Sequence, residues 1–410
     1  MKSTPIPSDL FKRNRKKLAL RMDKGSMAVS LAAEPKPRNG DQFYPYRQHS
    51  DFFYLTGINQ ENCMLILYAA SPDQPAKEIL FIQKATPRSD LWFGPLLTRK
   101  EAERLSGIQE VRWMDEADAF LEEVLPGSTL VYADQKKTFE HRQKWAPLAP
   151  VVSQLRMVKE AEEIEEIKKA ARITHAAFLQ VLKTTKPGIT EYQLEAEIIA
   201  EFIRQGARGH AYDPIVASGK NALVLHYIQN RSRCRNGELI LLDFGAELNN
   251  YAADCSRTIP VNGRFSTRQG ELYEAVLRVF KQARELMRPG VRMAEFHREV
   301  GNRWEEEHLR LGLYTPSDVR DQAGRDALWK KYFMHGTSHS LGLDVHDPFD
   351  RSVPFAPGMV LSCEPAIYIP QEEIGIRLEN NILITENGPE DLLEDIPMEA
   401  AHIEDLMNTP

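Results

Sequence analysis

Residues 238–258 read ELILLDFGAELNNYAADCSRT, and the fold of the C-terminal part of the chain turns on how this run closes on itself. Leu239, Ile240, Leu241 and Leu242 form an unbroken apolar run that reads as a buried strand, and Asp243 follows it directly. Eleven residues later stands Asp254, beyond a Leu248-Asn249-Asn250 corner suited to a tight turn. A hairpin turning at Leu248-Asn249 would set Asp243 opposite Asp254, with Cβ atoms roughly 5 Å apart. A turn at Asn249-Asn250 would instead make the two aspartates diagonal neighbours on the same face. In either register two ionised carboxylates repel each other and resist desolvation. A divalent cation between them is the economical remedy. The competing reading leaves Asp254 in an exposed turn and pairs Asp243 with an arginine.

The chain around this run has 410 residues, more than one hydrophobic core usually serves, so two domains are expected. Apolar residues make up 42% and charged residues 27%, which is ordinary globular composition. A net charge of -7 argues against nucleic acid or an anionic membrane as the main partner. The basic N-terminus has no apolar core behind it and does not read as a signal peptide, and no apolar run is long enough to span a bilayer. Cys63, Cys234, Cys255 and Cys363 lie far apart without CxxC spacing, so neither a disulfide framework nor a zinc knuckle is expected and a reducing cytoplasm is the default location.

Residues 10–22 read as a helix in which Leu10, Phe11, Leu18 and Leu20 pack while Lys12, Arg13, Arg15, Lys16 and Lys17 stay solvated. Aliphatic runs at 63–69, 78–83 and 128–133 read as strands, with helical character at 97–105 and 116–124 between them. This alternation predicts a small α/β domain over residues 1–152. Two prolines at 146–151 mark the boundary, after which one long charged helix is expected up to Pro187-Gly188. Thr190 with Gln193 three positions on opens a second helix, which Gly206 closes. Further on, strands at 215–218, 239–244, 359–368 and 375–385 are separated by helices at 268–287 and 294–310. Residues 153–410 are therefore predicted to be α+β, with a mostly antiparallel sheet.

Three other stretches offer cation ligands. MHGTSHSLGLDVHD (334–347) places His335, His339 and His346 within twelve residues. In VLSCEPAIYI (360–369), Glu364 ends an apolar run, where a buried glutamate needs a partner. In IGIRLENNILIT (374–385), Arg377 and Glu379 share a strand face, and an internal ion pair is the plainer explanation for that segment alone. Taken together, four carboxylates in or beside apolar strands and one histidine make a shell for two cations. Its oxygen-rich character favours manganese, cobalt or magnesium over structural zinc. Cys255 and Cys363 adjoin two of these acids, but strand alternation turns them to the opposite face as packing residues.

These motifs, in this order, resemble the aminopeptidase P branch of the pita-bread metallopeptidases, a family that also includes prolidase and methionine aminopeptidase. The resemblance extends into the first domain through YPYRQHSDFFYLTG (44–57) and LWFG (91–94). It implies a pita-bread catalytic domain with a curved sheet holding two divalent ions, most often Mn2+, with Co2+, Mg2+ or Zn2+ as alternatives. The implied metal ligands are Asp243, Asp254, His339, Glu364 and Glu379, with Asp254 and Glu379 bridging. A water between the ions would attack the bond before proline, with Glu364 as proton shuttle. His346 would steady the oxyanion, His226 would bind substrate and relay protons, His335 would line the proline subsite, and Arg377 would orient Glu379.

Asp51 and Trp92 match positions near the cleft, Trp92 serving a neighbouring subunit. The resemblance also implies a peptide substrate with proline second, and a homodimer or homotetramer. Prolidase, which takes only dipeptides, shares all five ligands. A metal-free pita-bread peptide-binding module is the alternative of a different class, and it predicts eroded ligands. Two departures from the family pattern are Asn380-Asn381, where an acid is common, and Pro95-Leu96-Leu97 after LWFG.

Overall fold

The computed structural model describes residues 4–69, 76–134, 144–322 and 327–409. The chain divides into a unit spanning Thr4–Met157 and a second beginning at Val158. The first unit holds a six-stranded mixed sheet in the order Glu110–Trp113, Glu78–Ile82, Met64–Tyr68, Met27–Leu31, Val131–Ala133, Trp145–Ala146. Its core is the alternate set Met27, Val29, Met64, Ile66, Ile79 and Phe81, closed by Phe120 and Leu121 from the helix Ala117–Val124. The intervening Leu65, Leu67, Leu80 and Ile82 are buried as well, so these strands are covered on both faces, as unbroken aliphatic runs predict.

Two details of this unit differ from the sequence reading. Arg15, expected to be solvated, is buried: it donates to Leu55 O at 2.7 Å and lies 3.0 Å from Glu78. Leu20 is 66% exposed instead of packed. The short helix Ala149–Arg156, which a boundary at 152/153 would cut, belongs to the N-terminal unit.

The single long helix expected after residue 151 is interrupted at 157–160. The helix Ala161–Thr184 then starts afresh, with Glu163 accepting from Glu160 N at 2.9 Å. Glu191–Arg204, Thr267–Leu286 and Met293–Arg310 are the other long helices. Among the described residues every strand pair of the second unit is antiparallel.

The decisive hairpin adopts the second of the two registers considered. Leu239–Phe244 pairs with Cys255–Pro260 so that Asp243 faces Ser256, and the turn falls at Asn249-Asn250. Both asparagines have positive φ, 50° and 66°, which a two-residue hairpin turn demands and asparagine tolerates better than leucine. Gly245 passes so close to the facing strand that an added Cβ would lie 1.8 Å from Ala253 O. The register is the same on both sides of Gly245, so Asp254, two residues before Ser256, lies on the face that Asp243 occupies.

A second hairpin carries the glutamates. Val360–Cys363 pairs with Asn380–Thr385, and Ala366–Ile369 pairs with Ile374–Arg377, leaving Glu364-Pro365 and Leu378-Glu379 between the paired segments. The register is continuous across that break, so Glu364 stands opposite Glu379. The two hairpins join where Ser256 bridges Glu379, with Glu379 N donating to Ser256 O at 3.1 Å.

Candidate metal centre

Backbone staples fix the acids before their side chains come into play. The Asn381 amide clamps the Asp254 peptide from both sides, accepting from its N–H at 3.0 Å and donating to its C=O at 2.8 Å. Buried Arg257 donates to both Ser256 O and Glu379 O at 2.9 Å, tying the two hairpins together. Lys159 and Asp347, both buried, pair at 3.1 Å and pin the loop that runs from His339 to His346.

Within this frame Asp243, Asp254, His339, Glu364 and Glu379 all line one cavity of about 360 Å³. Ligand atoms of Asp254, His339 and Glu379 lie within 4.8 Å of one another. His339 Nε2 stands 3.3 Å from Asp254, 3.7 Å from Glu364 and 3.8 Å from Glu379. Its Nδ1 is 3.1 Å from Ser340 O and must donate there, which leaves Nε2 free to face the acids. Arg377 Nη2 donates to Asp243 at 2.6 Å, Nε to Ser256 Oγ at 2.8 Å, and Nη1 to the Tyr368 hydroxyl at 2.8 Å. Ser256 Oγ donates in turn to Glu379 at 2.7 Å. Arg377 therefore contacts Asp243 directly and reaches Glu379 through Ser256.

Tyr212 is a residue that sequence reasoning missed. Its hydroxyl lies 2.6 Å from Asp243 Oδ1 and 2.5 Å from Asp254 Oδ1. One hydroxyl has one proton to donate, so one of these oxygens needs a second source of positive charge. Tyr212 sits between strands, where no periodicity points inward, and only the closed hairpin reveals its place.

The other expected residues divide between the two units. His335 lines the cavity, 3.0 Å from the Tyr368 hydroxyl and 3.6 Å from Glu364. His346 stacks edge-on against His339 with ring centroids 4.3 Å apart, and His226 is an exposed residue of the cavity wall. Asp51 and Trp92 belong to the N-terminal unit. Asp51 is buried and paired with Arg156 at 2.6 Å, so its carboxylate is already engaged. Trp92 is 70% exposed on the helix Pro87–Phe93, between Leu91 and Phe93 at 82% and 85%.

The electrostatics ask for cations. Burial raises the carboxyl of Asp243 against the pull of Arg377, lifts Glu364 to about 7, and, with the repulsion of Asp254 and Glu364, drives Glu379 well above the usual range. Burial would lower His339, but the carboxylates of Asp254 and Glu364 outweigh it and hold the imidazole at about 9. Four acids thus face one guanidinium and one imidazole, and protons or metal ions must make up the difference. The donor set of four carboxylates and one Nε2 fits divalent ions that accept oxygen ligands. Cys255 and Cys363 are fully buried with thiols pushed upward by burial, Cys255 to about 12, as packing residues are.

Comparison with known proteins gives a consistent result. The model for metallopeptidase family M24 matches residues 165–386, and that for the aminopeptidase P N-terminal domain matches residues 11–132. The chain is 37% identical to an Xaa-Pro aminopeptidase of Escherichia coli over 97% of each chain, and 34% identical to one of Haemophilus influenzae over 98% of each. Among solved structures, zinc-substituted Escherichia coli aminopeptidase P in complex with product superposes with a TM-score of 0.90 at 35% identity, covering 98% of this chain and 99% of that one.

Proposed function

The chain belongs to metallopeptidase family M24, with an aminopeptidase P N-terminal domain ahead of its catalytic unit, and we infer that it removes the N-terminal residue of peptides whose second residue is proline. The observation that carries this reading is the meeting of Asp254, His339 and Glu379 within 4.8 Å on a cavity that Asp243 and Glu364 also line. Eroded ligands, which a metal-free binding module predicts, are not what this cavity contains.

We assign Asp243, Asp254, His339, Glu364 and Glu379 to two divalent ions, with Mn2+ the preferred species because the donors are mostly oxygen. Bound there, the ions would supply the Lewis acidity that makes a water nucleophilic near neutral pH. Glu364, at the rim of the same acid cluster, is the carboxylate we assign to take a proton and return it to the leaving nitrogen. His346 and His226 line the same cavity, and we assign them as donors to the substrate's carbonyl oxygen or to the peptide chain behind it. Burial holds the His335 imidazole down at about 3, so it stays neutral against a proline ring.

No helix among the described residues is long and apolar enough to cross a membrane. The cysteines are free thiols, which suits a reducing compartment, and we assign the protein to the cytoplasm. The exposed Leu91-Trp92-Phe93 run supports a homo-oligomer, dimer or tetramer.

The test is a paired assay of the manganese-loaded protein on an Xaa-Pro dipeptide and an Xaa-Pro-Yaa peptide. Cleavage of the longer peptide is expected; cleavage of the dipeptide alone would make the protein a prolidase.

A further inference from the structure

Glu191 is the first residue of the helix Glu191–Arg204, and its side chain is fully buried. An acid at that position ordinarily serves the open N–H groups of its own first turn. This one does something else: each of its five donors lies on the segment 218–232. Oε1 accepts from Ser218 N at 2.8 Å, Ser218 Oγ at 2.7 Å and Asn221 Nδ2 at 2.9 Å. Oε2 accepts from the Tyr227 hydroxyl at 2.8 Å and Ser232 N at 2.7 Å.

Both feet of an arch are thereby fastened to one carboxylate. The arch between them carries Leu225, His226 and Ile228, all of which line the catalytic cavity. Tyr227 is buried with its hydroxyl on Glu191, whereas His226, its neighbour, is exposed at the cavity. The fixed phenol thus sets the peptide on which the imidazole stands. Five donors on two oxygens also specify the chemistry of the hub: only an ionised carboxylate accepts everywhere and donates nowhere. A glutamine would turn an N–H₂ toward groups that are themselves donors.

We propose that Glu191 is a positioning residue for His226, holding the 218–232 arch so that the imidazole meets the peptide at the cavity wall. The proposal rests on the assignment of His226 as a substrate contact.

The experiment compares Glu191→Gln, His226→Ala and the double variant, each manganese-loaded, on an Xaa-Pro-Yaa peptide. Manganese affinity by calorimetry and hydrogen exchange across 219–231 are measured on the same proteins. Glu191→Gln is expected to lower kcat/KM at least tenfold and to speed exchange in the arch, while manganese affinity stays within twofold. In the His226→Ala background the same change is expected to cost less than twofold, because the group it positions is gone. Full additivity in the double variant, an unchanged exchange rate in the arch, or loss of manganese binding along with activity would each overturn the proposal. If Glu191→Gln fails to fold, Tyr227→Phe replaces it, removing one donor and leaving the carboxylate; a threefold loss with the same non-additivity is expected, and no loss overturns the proposal. Absence of turnover in the unsubstituted protein would sink the peptidase assignment instead, and the exchange measurement still decides whether Glu191 holds the arch.

Discussion

Glu364 stands opposite Glu379 across the break in the hairpin that begins at Val360 and ends at Thr385, so two acids occupy a cross-strand pair in which like charges destabilise. The repulsion is tolerable only with protons or cations at hand, and it separates the needs of the fold from those of the site.

Glu379→Gln should therefore act in opposite directions on stability and activity. Glutamine can still accept from Ser256 Oγ, and it removes a charge whose ionisation burial and its acidic neighbours resist. At pH 9 the metal-free variant is expected to melt a few degrees above the metal-free parent, corresponding to ~1–2 kcal/mol. Turnover with manganese is expected to fall below detection. Calorimetry of both proteins after chelation checks the first half; a lower melting temperature would show that the acid stabilises the fold.

Asp254→Asn is expected to abolish turnover while the fold survives. The Asp254 main chain is held by Asn381 and not by its own carboxylate, so the strand should keep its place when the charge is removed. Far-UV circular dichroism and melting should match the parent, with kcat reduced by ~10³ or more. Near-normal activity would exclude Asp254 from the metal centre.

Metal uptake should strengthen steeply with pH. Binding requires a neutral His339 and ionised carboxylates, and in the metal-free protein His339 holds its proton up to about 9 and Glu364 up to about 7. Every such proton competes with the ion, so affinity should climb as pH rises from about 6 toward 9, with protons released on binding. Manganese titrations in buffers of different ionisation enthalpy count those protons. Affinity independent of pH over this window would contradict the arrangement.

The Leu91-Trp92-Phe93 run offers a test of assembly. Three large apolar side chains at 82%, 70% and 85% exposure are unusual on a surface that meets only water. The triple replacement Leu91→Ser, Trp92→Ser, Phe93→Ser is expected to shift the particle to a smaller mass by light scattering. An unchanged mass would remove this helix from any subunit contact.

Much of the site was legible because its acids break the rules of the strands around them. Asp243 after four aliphatics, and Glu364 ending a run of the same kind, stand out in a one-dimensional reading. The hairpin register was open between two choices, and the conformational demand for positive φ at both turn residues selected Asn249-Asn250. Tyr212 was invisible because its role exists only once its loop has met a hairpin some thirty residues onward. Arg15 was misjudged for a more instructive reason: it lies four residues after Phe11 and three before Leu18, on the buried stripe, and its charge concealed that spacing. Glu191 looked like an ordinary first-turn acid, and nothing local announced that its partners lie some thirty residues onward.

The pegs that hold the acids in place, the Asn381 amide and the Arg257 guanidinium, are made entirely from the chain itself. A polypeptide built this way can mature before any ion reaches it, unlike a zinc finger, whose shape waits for its metal. Loading then becomes a late event ruled by supply, and the species that fills the bowl in a living cell would reflect what that cell has free to give.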